Sequence, residues 1–211
     1  MVNQVIAGEL QTNCWITGIG GGDCIVIDPG GDEDAIFARL EKLRLNPMYF
    51  VLTHAHFDHI AALPSLAPFF PKAGIAIHQA EAEKLGPNAM ENHQRDFNAV
   101  GVSTYVEDLW KPLPKATVLL TEGDVLGPYV VMHLPGHSPG SIALYHEEGK
   151  NLFSGDTLFR AGVGRTDLPG GDGQMLSQSL RRLFALDEDT TVYPGHGPAT
   201  TIRREKTTIY R

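Results

Sequence analysis

The chain has 211 residues, of which 42% are hydrophobic and 20% charged, a balance that suits one soluble domain, 1–211, and excludes a disordered or low-complexity protein. Its formal charge of −8 repels a nucleic acid backbone, so no nucleic acid partner is expected. Apolar runs such as 25–27 and 130–132 fall far short of the roughly 18 residues needed to cross a bilayer, and Met1-Val2-Asn3-Gln4 lacks the basic and apolar parts of a secretory signal; no membrane partner and a cytoplasmic location are expected.

Val2 to Ala7, Cys14 to Thr17 and Asp23 to Ile27 read as short strands, the last ending in the turn formers Asp28-Pro29-Gly30-Gly31. The two cysteines, Cys14 and Cys24, are too few for a disulfide scaffold and read as small buried thiols; a disulfide between them is the lesser alternative. From Asp32 to Leu45 the apolar residues Ile36, Leu40 and Leu43 recur at helical spacing, and Asn46-Pro47 ends the run. A strand follows at Met48 to Thr53, then a helix starting near Pro64 and limited by Pro71. Between Glu81 and Glu107 the signals weaken. The second half predicts strands at Thr117 to Leu120, Tyr129 to His133, Ser141 to His146 and Asn151 to Phe153. A helix with Leu176, Leu180, Leu183 and Phe184 on one face comes next, and a last strand at Thr191 to Tyr193. Two sheet-forming halves with helices outside make an α/β sandwich of four layers the expected fold.

Three of the nine histidines fall within Thr53-His54-Ala55-His56-Phe57-Asp58-His59. At the end of a strand, side chains two apart point the same way, so His54, His56 and Asp58 are expected to project together, with His59 on the following turn. Imidazole and carboxylate suit zinc, iron or manganese, and the lack of a thiolate in the cluster points away from a structural zinc site. One short segment cannot surround a metal. Three further loops supply candidates, each after a predicted strand: Pro135-Gly136-His137-Ser138, Ser154-Gly155-Asp156-Thr157 and Pro194-Gly195-His196-Gly197. Their glycines allow the sharp turns and close approach that a ligand loop needs. His78, His93, His133 and His146 lie outside these loops and read as structural or surface residues. Asp28 either caps a turn or accepts a hydrogen bond from the free ring nitrogen of a ligand histidine.

The run from Asp28-Pro29-Gly30-Gly31 through all four ligand loops resembles the metallo-β-lactamase superfamily over nearly the whole chain. The resemblance implies an αββα sandwich in which His54, His56 and His137 hold one metal, Asp58, His59 and His196 hold a second, and Asp156 bridges them. The stretch Gly155 to Asp172 is similar to the glyoxalase II-like branch, especially its short bacterial members. That likeness implies a thioesterase acting on S-D-lactoylglutathione. The C-terminal helical domain of longer glyoxalase II enzymes is not expected here. Arg165 falls where the branch places a basic glutathione contact, whereas Asp167 and Gly197-Pro198 stand where aromatic contacts are expected. Arg165 is therefore either a substrate contact or an arginine paired within its own loop, and the loop from Arg160 to Asp172 is expected to border the substrate groove.

The chemistry agrees with this branch. Two metals that share a water lower its pKa toward 7, which supplies a hydroxide nucleophile at neutral pH. Asp58 is expected to orient that nucleophile or take its proton as well as bind metal. A thiol with a pKa near 8.5 leaves with little protonation, so no separate general acid is required. The rival reading is a persulfide dioxygenase with one iron, a class that shares the fold and the Gly164-Arg165-Thr166-Asp167 stretch. Zinc is the expected metal, two ions per chain, with iron or manganese accepted by the same ligands.

Overall fold

In the computed structural model, which describes residues 1–99, 101 and 103–209, the chain divides into two compact units, 1–119 and 120–211. Strands β1 (Val2–Ala7), β2 (Thr12–Gly20) and β3 (Asp23–Ile27) form an antiparallel meander. Helix α1 (Glu33–Leu43) then crosses to β4 (Asn46–Leu52), which lies parallel to β3. Pro47, read from the sequence as a helix stop, is the second residue of this strand. It offers no N–H to the ladder, and the pairing slips by one residue at Cys24, opposite it. β5 (Gly74–His78) pairs parallel to β4, and β6 (Val118–Leu120) completes a six-stranded sheet in sequence order.

The helix expected at Pro64 is real but brief. α2 (Leu63–Leu66) gives way to a 3-10 turn over Ala67–Phe69, with a second proline, Pro68, at the junction. The weak region holds two helices, α3 (Met90–Asn98) and α4 (Ser103–Leu109). The core of this unit is built from Ile16, Val26, Phe50, Leu52 and Ile77 of the sheet with Ile36 and Leu40 of α1 against them. Cys14 and Cys24 sit in it as free thiols, and burial raises the pKa of each, Cys24 to about 12.

The second unit is built on another six-stranded sheet. Its strands are β7 (Val125–Leu126), β8 (Tyr129–His133), β9 (Ile142–His146), β10 (Asn151–Gly155), β13 (Thr191–Pro194) and β14 (Thr200–Thr201). Their order is β14-β13-β10-β9-β8-β7. A separate hairpin, β11 (Leu158–Phe159) with β12 (Gly162–Val163), leaves the end of β10. Leu176, Leu180 and Leu183 of α5 (Gly173–Leu183) pack with Leu152 and Val192 of the sheet and with Leu134 just beyond β8, and α6 (Ile202–Ile209) adds Ile202. Asp172 caps α5 by accepting hydrogen bonds from the amides of Gln174 and Met175. Among the described residues no helix is long and apolar enough to cross a membrane.

Candidate metal centre

In the first unit, strand pairing of β4 ends at Leu52 and the chain bends, so the expectation that His54, His56 and Asp58 share one face of an extended segment is not met. His54 and His56 lie on the bend, while Asp58 and His59 sit in a 3-10 turn over Phe57–His59. The His54 and His59 rings lie close, their centroids 4.2 Å apart. His54 Nε2 lies 3.0 Å from His56 Nδ1, and His59 Nε2 lies 3.6 Å from Asp58 Oδ2. All four side chains are buried.

The hydrogen bonds of this segment fix which ring nitrogens carry lone pairs. Asp28 Oδ1 accepts from the Thr53 amide at 2.7 Å, and Asp28 Oδ2 accepts from the Thr53 hydroxyl at 2.6 Å. The Thr53 oxygen can then accept from His54 Nδ1, 3.1 Å away, which leaves a lone pair on His54 Nε2. Asp28 Oδ2 also faces His59 Nδ1 at 3.0 Å, leaving the lone pair on His59 Nε2. Both readings of Asp28 thus apply, since it holds the turn and orients a ligand histidine. Two ring nitrogens 3.0 Å apart, as in His54 and His56, either share a proton or face a common cation, and about 3.3 Å separates nitrogens on one tetrahedral zinc.

The second unit carries the other three candidates. Asp156 Oδ2 lies 3.7 Å from His137 Nε2 and 3.6 Å from His196 Nε2, an oxygen presented to two imidazoles at once. His137 Nδ1 donates to the Arg165 carbonyl oxygen at 2.8 Å, which leaves its Nε2 with the lone pair. The loops are held by local contacts. The amide of Asp172 donates to Gly136 O at 2.8 Å and that of Gly195 to Gly155 O at 2.8 Å. Gly164 lies so close that a Cβ there would be 1.9 Å from Asp156 O, so only glycine fits. The Arg160–Asp172 loop is therefore tied to the ligand residues through its own backbone. His196 is the exposed member, with 30% of its side chain open against 2% for His137.

The Arg165 side chain is paired within its own loop. Its Nε and Nη2 donate to Asp167 Oδ1 and Oδ2, both at 2.7 Å, and this pairing holds the Asp167 carboxyl at a pKa of about 2. The remaining histidines behave as structural residues. His78 Nδ1 accepts from the Ala80 amide, His93 Nε2 donates to Lys84 O, His133 Nε2 donates to Pro139 O, and His146 lies edge-on to Tyr129.

Sequence reasoning missed several residues that hold the candidate ligands or their loops. Thr12 donates its hydroxyl to Asp58 Oδ2 at 3.1 Å. Glu81 accepts from the Ala55 amide. Glu205, fully buried on α6, accepts from the Ala161 amide and the Thr200 hydroxyl, and so ties the hairpin beyond Asp156 to the chain beyond His196. No spacing rule links Thr12 to Asp58, Glu81 to Ala55 or Glu205 to Ala161, pairs 46, 26 and 44 positions apart.

The donors are imidazole nitrogen and carboxylate oxygen throughout, the set that zinc, iron and manganese accept. Residues 7–196 match the metallo-beta-lactamase superfamily. The chain is 34% identical over 202 residues to the hydroxyacylglutathione hydrolase GloC of Haemophilus influenzae, covering 93% of this chain and 90% of that one. Among solved structures it is similar to the BLEG-1 B3 metallo-beta-lactamase, with 35% identity, a TM-score of 0.85, and 98% and 97% of the two chains covered. It is likewise similar to TTHA1623 solved in a di-iron-bound form, with 39% identity, a TM-score of 0.84, and 98% of each chain covered. The fold class expected from the sequence is the one this chain has.

Proposed function

Because the chain belongs to the metallo-β-lactamase superfamily, we propose that it is a binuclear metallohydrolase that cleaves a thioester, S-D-lactoylglutathione, to D-lactate and glutathione. His54, His56 and His137 would hold one divalent ion, and Asp58, His59 and His196 the other, with Asp156 shared. The observation that carries this reading is Asp156 Oδ2 facing the Nε2 atoms of both His137 and His196, as an oxygen common to two ions must. The Haemophilus influenzae relative's activity supports the substrate class. Bound ions supply Lewis acidity and a water acidic enough to attack at neutral pH.

The chain's own residues do the rest. Thr12 holds Asp58 Oδ2 and so fixes the carboxylate that takes the proton of the attacking water. Attack forms the C–O bond at the acyl carbon and breaks the C–S bond, and the thiolate departs without an acid to protonate it, its pKa being near 8.5. Arg165 exchanges Asp167 for an acidic group of the substrate. Arg165→Ala is then expected to raise KM by about tenfold with kcat nearly unchanged, the cost of one hydrogen bond to a charged group made equally in ground and transition states. A lower melting temperature with unchanged kinetics would leave Arg165 a loop brace only.

The reaction itself is tested with metal-free protein reconstituted with zinc alone. Zinc has no redox chemistry, so a hydrolase so prepared releases free thiol from S-D-lactoylglutathione without consuming oxygen. Zinc protein inactive on thioesters, beside iron protein that consumes oxygen with glutathione persulfide, would replace this reading by the persulfide dioxygenase one. Turnover of a β-lactam in place of any thioester would change the substrate class and leave the metal centre as proposed.

A further inference from the structure

We propose that Glu81, which accepts from the backbone amide between the two histidines, is a positioning residue for the ion that His54 and His56 would hold. This rests on the two-metal reading above. Glu81 lies in the 3-10 turn Gln79–Lys84 that follows β5, is 1% exposed, and accepts through Oε2 from the amide of Ala55 at 2.5 Å. Ala55 is the residue between the two histidines and is itself fully buried. The β4–β5 ladder ends at Leu52 and Ile77, so the amide of Ala55 lies beyond the ladder and takes its acceptor from a side chain. A buried amide without an acceptor costs about 1–3 kcal/mol, and the backbone torsions of Ala55 decide how the rings on either side of it are aimed.

The carboxylate is held by a buried framework. His78 caps the start of its turn by accepting from the Ala80 amide. Lys84, at the end of the turn, pairs its Nζ with Asp96 Oδ2 at 2.7 Å, and its carbonyl accepts from His93 Nε2 at 2.8 Å. The His93 ring lies against Phe57, their centroids 5.6 Å apart, so α3 is joined to the ligand loop a second time, beyond His56. Such rigid support is what an outer partner needs if it is to set ligand direction.

Two conservative variants separate reach from charge. Glu81→Gln keeps a carbonyl oxygen at the same distance, and Glu81→Asp keeps the charge but draws the oxygen back by one carbon. Cobalt(II) is the probe, its affinity read by competition with a chelator and its ligand geometry by the visible absorption bands. The Gln variant is expected to bind within about threefold of the parent with the parent spectrum, since a neutral acceptor still serves the amide. The Asp variant is expected to bind the ion at His54 and His56 roughly 10- to 100-fold more weakly, the usual cost of losing an outer partner, with altered bands. Parental affinity and spectrum in Glu81→Asp, or equal loss in both variants, would overturn the inference while leaving the two-metal reading intact. A parent protein that takes up no cobalt would instead remove that reading, and the inference with it.

Discussion

Asp28→Ala is expected to melt at least about 10 °C below the parent and to bind its second metal ion 10- to 100-fold more weakly. Asp28 accepts from the Thr53 amide, the Thr53 hydroxyl and His59 Nδ1, and its side chain is 1% exposed. Alanine would leave three buried donors without this acceptor, at about 1–3 kcal/mol for each that finds no other. It would also occupy a left-handed backbone position, φ 51, which suits Asp or Asn better than Ala. Total stability is only about 5–15 kcal/mol, so the loss is a large share. Asp28→Asn separates the two effects. It tolerates the backbone and can still accept from the Thr53 amide, but its NH2 group cannot accept from both Thr53 and His59. Its melting point should recover in part while metal affinity stays low. Thermal melting of metal-free protein and chelator competition read the two outcomes. An Ala variant that melts within 2 °C or so of the parent and holds both ions equally well would reduce Asp28 to a turn residue.

The sequence shows best those features whose signal lies in adjacent residues. β1, β3 and β8 have the bounds that alternation and turn formers predict, because a strand between glycine turns is a local pattern. The loops of His137, Asp156 and His196 show in the sequence for the same reason, each candidate ligand standing beside a glycine that lets the chain turn. α3 is not legible. Two of the three residues it buries are His93 and Asp96, polar side chains that each bond to Lys84 on another segment, so no apolar stripe marks the helix. β5 follows a run holding Pro64, Pro68 and Pro71, which hides where it starts, and the two-residue strands β7, β11, β12 and β14 fall below the length at which alternation means anything. The roles of Thr12 and Glu81 are hidden for a different reason. Each acts on a ligand segment 26 or 46 positions away, a relation that exists only once the sheet has formed. The approach of Asp58 to His59 comes with a 3-10 turn that the strand-end geometry does not anticipate. The family resemblance groups these two residues where the residue spacing does not.

Asp156→Ala is expected to lower kcat/KM by at least about a thousandfold, well beyond the 10- to 100-fold cost of losing an outer partner, because one oxygen serves both proposed ions. Asp156 Oδ2 is 3.7 Å from His137 Nε2 and 3.6 Å from His196 Nε2, and alanine removes that oxygen without altering the loops, which are held through the backbones of Gly155, Gly164 and Arg165. The variant should therefore fold, with both imidazoles in place and no shared ligand between them. His196→Ala, by contrast, takes one ligand from one ion only. Metal analysis of zinc-loaded protein after removal of free ions tests the central claim most directly. The parent should hold two ions per chain, His196→Ala one, and Asp156→Ala fewer than one. A parent that holds a single ion, or an Asp156→Ala protein that retains two, would contradict a binuclear centre built on these residues.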